Sequence, residues 1–131
     1  MIWNMPAASF PEYAHQVQEL LDRAVAAADV VLVRLEIDAR SSVHGLVGGV
    51  VRFQDGSELH FREYLDTSRH DPRLMYAYHF QAADEALIFR YDNATHRPPL
   101  PQAEHRHTVS GVRPGPAPTL AQVMDEILGS S

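Results

Sequence analysis

The segment 75–93 combines a residue able to move protons with residues able to bind anions. Its histidine, His79, titrates near neutral pH and can act as a general acid or base. Arg90 carries a guanidinium whose planar fork matches a phosphate, and Asp92 carries a carboxylate. If the segment forms two paired strands, side chains alternate between two faces and these three residues share the polar one. We therefore expect any chemistry to be centred here.

The aromatic residues of the same segment predict how its two strands pair. A turn over 82–85 is an even-length loop, and it brings the two aromatic faces together on one side of the hairpin. In that register Ala77 lies opposite Arg90, which leaves His79 diagonal to the guanidinium.

The rest of the chain predicts the scaffold that positions this hairpin. Helical periodicity covers 9–28 and 119–128, and Ser9 and Thr119 are suited to cap the two helices. Alternating apolar residues over 30–93 predict five strands. The fold class is therefore α+β, a five-strand antiparallel meander with an N-terminal and a C-terminal helix packed on one face and the other face open.

Two details of the first three strands can be checked in a structure. The first strand is expected to direct alternate residues from Val31 onward into the core. The turn at Gln54–Gly56 is expected to be a three-residue loop with Gly56 left-handed, because a two-residue loop would put Phe53 on the same face as a glutamate. Glu63 is a misfit on the inner face, to be held by an arginine or tyrosine or to lie at the sheet's end in water.

Composition limits the class of protein. The chain has 131 residues, of which 45% are hydrophobic, and this fits one globular domain spanning 1–131. No apolar run is long enough for a membrane, no secretory signal is evident, and cysteine is absent, so we expect a cytoplasmic protein. A net charge of −6 argues against holding long nucleic acid by bulk electrostatics, although a local basic face is compatible with it.

The outward-facing side of the predicted sheet gathers charged and ionisable residues. Its members are Arg34, Glu36, Arg52, Glu58, His60, Arg62, Tyr64, His79, Arg90 and Asp92. One interpretation is a solvated face with cross-strand ion pairs, each worth roughly 0.2–1 kcal/mol and without function. The other is a phosphate-binding or catalytic surface. The sequence leaves both open.

The segment 94–118 contains six of the nine prolines, which predicts an extended loop docked on the domain rather than a strand or helix. His96, His105 and His107 lie in it, and His105 and His107 would project to the same side of an extended backbone. These three are candidate metal ligands, but we expect no metal and no cofactor, because a helical His pair of the HExxH type is absent. A glycine-rich phosphate loop and a nucleophile elbow are absent as well.

Five stretches of the chain resemble the TumE-like toxins of type II toxin–antitoxin systems. They are Val31–Glu36, Asp55–Tyr64, Tyr76–Phe80, Phe89–Asn93 and Pro101–His107, and the resemblance extends over residues 30–128. The Phe-Arg-Tyr-Asp-Asn run and the later His-x-His are its most specific parts. The resemblance implies a toxin encoded beside a helix-turn-helix antitoxin, and it assigns no catalytic residue.

These observations lead us to expect a toxin that acts on RNA as a metal-independent endoribonuclease. His79 and His60 would be the acid and base, and Arg90 would stabilise the charge that develops on phosphate. The remaining roles are orientation or base catalysis by Glu36 or Asp92 and substrate binding by Arg34 and Arg62.

Two other functions remain open at this stage. The chain would be a non-catalytic module if its charged face docked the antitoxin or a cellular target, and the acidic balance favours this. Alternatively, Gly48 and Gly49 would admit a nucleotide or another small ligand to the same face. A homo-oligomer is compatible with either.

Overall fold

The computed structural model of the protein describes residues 7–93 and 104–129. In chain order its elements are α1 (Phe10–Ala28), β1 (Val31–Ala39), β2 (His44–Arg52), β3 (Glu58–Asp66), β4 (Arg73–Gln81), β5 (Leu87–Asp92), β6 (His105–Thr108), β7 (Gly111–Pro114) and α2 (Leu120–Gly129). The strands form one antiparallel sheet in the order β1 to β7. The α+β class and the meander are confirmed, but five strands was wrong, because the described sheet has seven.

The two additional strands lie within the segment expected to be a docked loop. The prolines flank residues 102–113 and none lies inside that stretch, so β6 can donate its backbone N–H groups to β5. Pro114 ends β7, which is an edge strand, the position in a sheet where proline is tolerated. His96 falls outside the described residues.

Both helices pack on one face of the sheet and begin at the expected caps. The Ser9 side chain accepts from the backbone N–H of Glu12 at 3.2 Å, and Thr119 and Gln122 accept from each other's N–H at 2.9 and 3.1 Å. Residues of α1, α2 and the inner face of the sheet form one buried cluster. Phe10 packs so closely on Gly45 that a Cβ there would lie 2.4 Å from its ring.

Neither helix in the part of the chain that the structure describes is both long enough and apolar enough to cross a membrane.

The structure confirms the predicted turn between β2 and β3 but not the predicted register at the turn between β4 and β5. The loop Gln54–Gly56 is confirmed: Phe53 N–H donates to Ser57 at 2.9 Å, and Gly56 is left-handed with φ 86°. The register of the β4–β5 hairpin was wrong by two residues. Glu85 is left-handed with φ 71°, which tightens the turn, and the pairing skips a residue between the turn and Phe89.

The new register changes which residues meet across β4 and β5. His79 lies directly opposite Arg90, and Ala77 lies opposite Asp92. Because the shift is even, the residues of β4 and those of β5 from Phe89 onward keep their predicted faces, whereas Leu87, before the skipped residue, lies opposite Gln81 of the open face.

The first strand departs from strict alternation near its start. The β1–β2 pairing shifts between Leu32 and Arg34, so the residue between them is bulged. As a result Val31 is 56% exposed and Leu32 packs on the core, opposite to the expectation. A bulge inserts one residue, so the residues before it point to the opposite face from the one predicted. Arg34 and the residues after it keep their predicted faces.

Glu63 is buried on the inner face, where two tyrosines hold it. Tyr13 donates its hydroxyl to Glu63 Oε1 at 2.6 Å, and Tyr78 donates to Oε2. Arg73 donates to the Tyr78 hydroxyl at 2.8 Å and to the carbonyl of Pro118. Burial raises the pKa of Glu63, although the two tyrosines and the Arg73 charge oppose the shift.

The raised pKa of Glu63 makes stability depend on pH in a specific direction. Above the ordinary glutamate pKa of about 4.3, the unfolded chain loses this proton while the folded chain retains it. Folding is therefore weakened as pH rises towards the folded-state pKa, by up to about 1.4 kcal/mol per pH unit. Glu63→Gln does not titrate, so we expect the stability of the wild type relative to this variant to fall with rising pH.

Urea unfolding at closely spaced pH values from 4 upward measures this difference. Asp22→Asn, which changes an exposed acid on α1, is the matched control and should show no such trend. A difference between wild type and Glu63→Gln that stays constant, or that grows with pH, would contradict the account of Glu63.

Candidate functional site

The open face of the sheet is the side turned away from the helices, and two rows of residues cross it. In the first row Arg34, Val50, His60, His79, Arg90 and His107 are successive cross-strand partners from β1 to β6. In the second row the partners are Glu36, Gly48, Arg62, Ala77, Asp92 and His105. Every site residue expected from the sequence in the described ranges lies in one of these two rows.

A shallow pocket of about 540 Å³ lies over the middle of the two rows. Gly48 and Ala77 lie on either side of Arg62 in the pocket. Larger side chains at these two positions would fill the pocket. A Cβ on Gly48 would lie 3.1 Å from the Phe61 carbonyl oxygen. The ionisable residues that line the pocket are Arg34, Glu36, His60, Arg62, His79 and Arg90.

Two imidazoles face each other inside this pocket. His60 and His79 are directly opposite on β3 and β4, and their ring centroids are 6.4 Å apart. The Glu58 carboxylate lies 3.0 Å from His60 Nε2, so it holds a proton on that nitrogen and orients the ring. Arg52 in turn donates to Glu58 at 2.9 Å and lowers the pKa of that carboxyl.

His79 is placed to accept a proton. Burial lowers the pKa of His79, and the positive charge of Arg90 and the neighbouring His60 lower it further. Arg90 Nη1 lies 3.4 Å from His79 Nδ1. A guanidinium can only donate, so this contact and the lowered pKa both favour the neutral ring with the Nδ1 lone pair directed at Arg90. A neutral imidazole beside a second imidazole is a suitable pair for general acid–base catalysis.

The arginines of the open face divide into paired and unpaired residues. Arg52 is paired with Glu58, and Arg90 with Asp92. Within residues 7–93 and 104–129, Arg34 and Arg62 form neither an ion pair nor a side-chain hydrogen bond, and both are exposed at the pocket. Unpaired guanidinia around a pocket are suited to an anionic ligand.

Asp92, expected to orient an imidazole or to serve as base, contacts the two imidazoles of β6. Its carboxylate accepts from Arg90 Nε at 2.8 Å and contacts His105 Nδ1 at 3.3 Å and His107 Nε2 at 3.1 Å. Burial alone would raise its pKa, but the hydrogen bonds from Arg90 and His105 lower it. His105 and His107 project to the same side of β6, as expected from their spacing.

Glu58 was placed on the open face from the sequence but was given no role there. A signal was present, because residues two apart on a strand share a face, and this places Glu58 beside His60. The contact of Asp92 with the histidines of β6 was not visible, because β6 itself was not predicted. Glu36 lines the pocket and, within the described ranges, makes no hydrogen bond or ion pair with another side chain.

The effect of the Arg90 charge on the pKa of His79 can be measured. We expect Arg90→Met to raise the pKa of His79 towards its ordinary value, because the substitution removes the nearest positive charge. The other groups that face this ring, His60 across β3 and Gln81 along β4, are unchanged. Histidine Cε1–H shifts recorded by NMR as a function of pH give the midpoint.

Arg23→Met on α1 is the control and should leave the His79 midpoint in place. The same midpoint in wild type and Arg90→Met would show that the guanidinium does not act on this ring.

A family model described as Toxin TumE matches residues 17–130. No curated protein matches the chain, and no solved structure matches it.

Proposed function

The chain belongs to the TumE toxin family, and from this premise we propose that it acts by cleaving RNA, with no metal ion in the reaction. One observation carries this proposal. Two imidazoles face each other at 6.4 Å in a pocket that also presents the guanidinia of Arg34 and Arg62, which have no ion-pair partner among residues 7–93 and 104–129. Phosphodiester cleavage needs a base, an acid and positive charge, and this pocket offers all three.

The reaction that fits these groups is transfer within the RNA backbone. The Nδ1 lone pair of His79 takes the proton from a ribose 2′-hydroxyl, and the 2′-oxygen forms a bond to the adjacent phosphorus. The bond from phosphorus to the 5′-oxygen breaks, and protonated His60 gives its proton to that oxygen. The products are a 2′,3′-cyclic phosphate and a 5′-hydroxyl, so the atoms and the protons balance.

The guanidinia supply binding and stabilise charge. Arg34 and Arg62 flank the imidazoles from β1 and β3, where each can offer two parallel N–H groups to a phosphate. Arg90 contacts His79, and a phosphate that attracted its guanidinium would free the Nδ1 lone pair. Glu58 orients His60, the role that the sequence analysis gave to Glu36 or Asp92.

The acidic net charge of the chain is compatible with a short RNA site. The charge of −6 is a sum over all 131 residues, whereas contact with a few nucleotides depends on local charge. An RNA substrate also supplies its own nucleophile, the 2′-hydroxyl, so the pocket needs no nucleophilic side chain.

We also propose that a partner antitoxin, of the helix-turn-helix class implied by the sequence resemblance, holds the toxin inactive. Carboxylates of such a partner placed over Arg34 and Arg62 would neutralise both guanidinia and exclude RNA from the pocket.

Removal of the base or of the central guanidinium should abolish cleavage. We expect His79→Ala and Arg90→Ala each to slow RNA cleavage by about 10²–10⁴-fold, the range for loss of one acid–base or charge-stabilising group. The assay follows an end-labelled single-stranded RNA in the presence of EDTA and identifies the new termini by mass spectrometry.

His15→Ala and Arg23→Ala on α1 are the matched controls, and circular dichroism verifies that every variant is folded. Cleavage or growth arrest undiminished in both His79→Ala and Arg90→Ala would defeat the assignment. Growth arrest without any nuclease activity, with one protein recovered in stoichiometric amount, would favour a binding module instead.

Arg34 and Arg62 should act on binding rather than on the chemical step. We expect Arg34→Met and Arg62→Met each to weaken binding of an RNA whose 2′-oxygens are methylated, a probe that cannot react. Each should also reduce the slope of log affinity against log salt by about 0.7, the value for one phosphate contact on a single strand.

Fluorescence anisotropy at several salt concentrations measures both quantities. Arg69→Met, an exposed arginine in the β3–β4 loop, is the control. Salt slopes equal to the wild-type slope in both variants would remove the two guanidinia from the phosphate site.

A further inference from the structure

We propose that Asp92, His105 and His107 form a binding site for one divalent transition-metal cation, with zinc the first to test. The site lies at the end of the two rows, outside the residues that line the pocket. The inference goes beyond the proposed function and does not depend on it, because the RNA chemistry is assigned to His60 and His79.

The geometry of the three side chains is that of a metal cradle. Each offers one ligand atom, and these atoms all lie within 4.8 Å of one another. His105 Nδ1 and His107 Nε2 approach the two oxygens of Asp92 at 3.3 and 3.1 Å. Tetrahedral zinc with bonds of about 2.0–2.1 Å separates its ligand atoms by about 3.4 Å, so a cation requires only a small adjustment.

The types of ligand and their burial also fit. Two imidazoles and one carboxylate are ordinary zinc ligands, and a water molecule would complete four-coordination. The Asp92 and His105 side chains are 5% and 2% exposed, and that of His107 is 18% exposed. A surface cluster that gathers adventitious ions would be far more open to water.

Arg90 adds the outer contact that ligating carboxylates usually have. Its Nε donates to Asp92 Oδ2 at 2.8 Å, so coordination through Oδ1 leaves that hydrogen bond intact. The guanidinium thereby orients the carboxylate from the first row, and it joins the metal site to the His79 side of the pocket.

The position of the site indicates a structural role. Asp92 ends β5, and both histidines belong to β6, directly opposite Asp92 and Arg90. A cation here would hold the β6–β7 hairpin to the rest of the sheet. The hairpin is short, and β7 is an edge strand, so a local fastening would matter most here.

The experiment measures the metal directly in the full chain. Protein freed of metal with EDTA is titrated with zinc by calorimetry, and its Tm is recorded as a function of zinc concentration. We expect one zinc per chain and a Tm that rises with zinc, because the cation binds the folded state. Cobalt(II), added to the same protein, should give the visible absorption of a tetrahedral site.

Variants identify the ligands. We expect His107→Ala and Asp92→Asn to lose the stoichiometric zinc, and Arg90→Met to weaken its affinity by roughly 10–100-fold, the usual cost of a lost outer contact. His70→Ala, which removes an exposed histidine from the β3–β4 loop, should bind as the wild type does.

Two results would overturn the proposal. One is the absence of stoichiometric binding of zinc, cobalt or nickel to the wild-type chain, which would leave the cluster as hydrogen bonds between imidazoles and a carboxylate. The other is zinc affinity in folded His107→Ala equal to that of the wild type. RNA cleavage is not a readout, so this proposal and the nuclease proposal fail independently.

Discussion

Side chains that face each other across an antiparallel ladder are held about 4.5–5.5 Å apart at their Cβ atoms, and this spacing assembles the open face. His60, His79 and Arg90 come from three strands, yet each is the direct partner of the next. A slip of one residue in β4 alone would turn His79 towards the helices and Tyr78 towards water. The arrangement of these groups therefore depends on register more than on any single contact of the site.

The inner face carries the interactions that hold this register. Aromatic rings contact each other there, with centroids 5.6 Å apart for Phe53, which follows β2, and Phe80 of β4, and 5.3 Å apart for Phe80 and Phe89 of the neighbouring β5. Glu63 fixes a third point, because its carboxylate holds Tyr13 of α1 and Tyr78 of β4 at once. An ionisable group in the core of one face thus aligns the strands that present charged groups on the other.

Much of this arrangement was predictable, because alternation assigns faces without knowledge of pairing. The ionisable residues of the pocket were therefore placed on one face, and an error of two residues in the β4–β5 register left them there. A glycine at position 56 indicates a left-handed turn residue, but no residue type near Arg34 or at Glu85 indicates a bulge or a left-handed conformation. Both features were therefore missed. The strands β6 and β7 were missed because the segment 94–118 was judged by its total number of prolines. Residues 102–113 within it contain none and can form strands.

The measurement that tests the central claim most directly is NMR mapping of the bound state. A short RNA with methylated 2′-oxygens is titrated into isotope-labelled protein, and backbone amide and histidine ring shifts are followed. The account predicts changes concentrated on the two rows, at Arg34, Gly48, His60, Arg62 and His79, with α1 and α2 unaffected. Saturable changes confined to the helices, or no change at millimolar RNA, would contradict it.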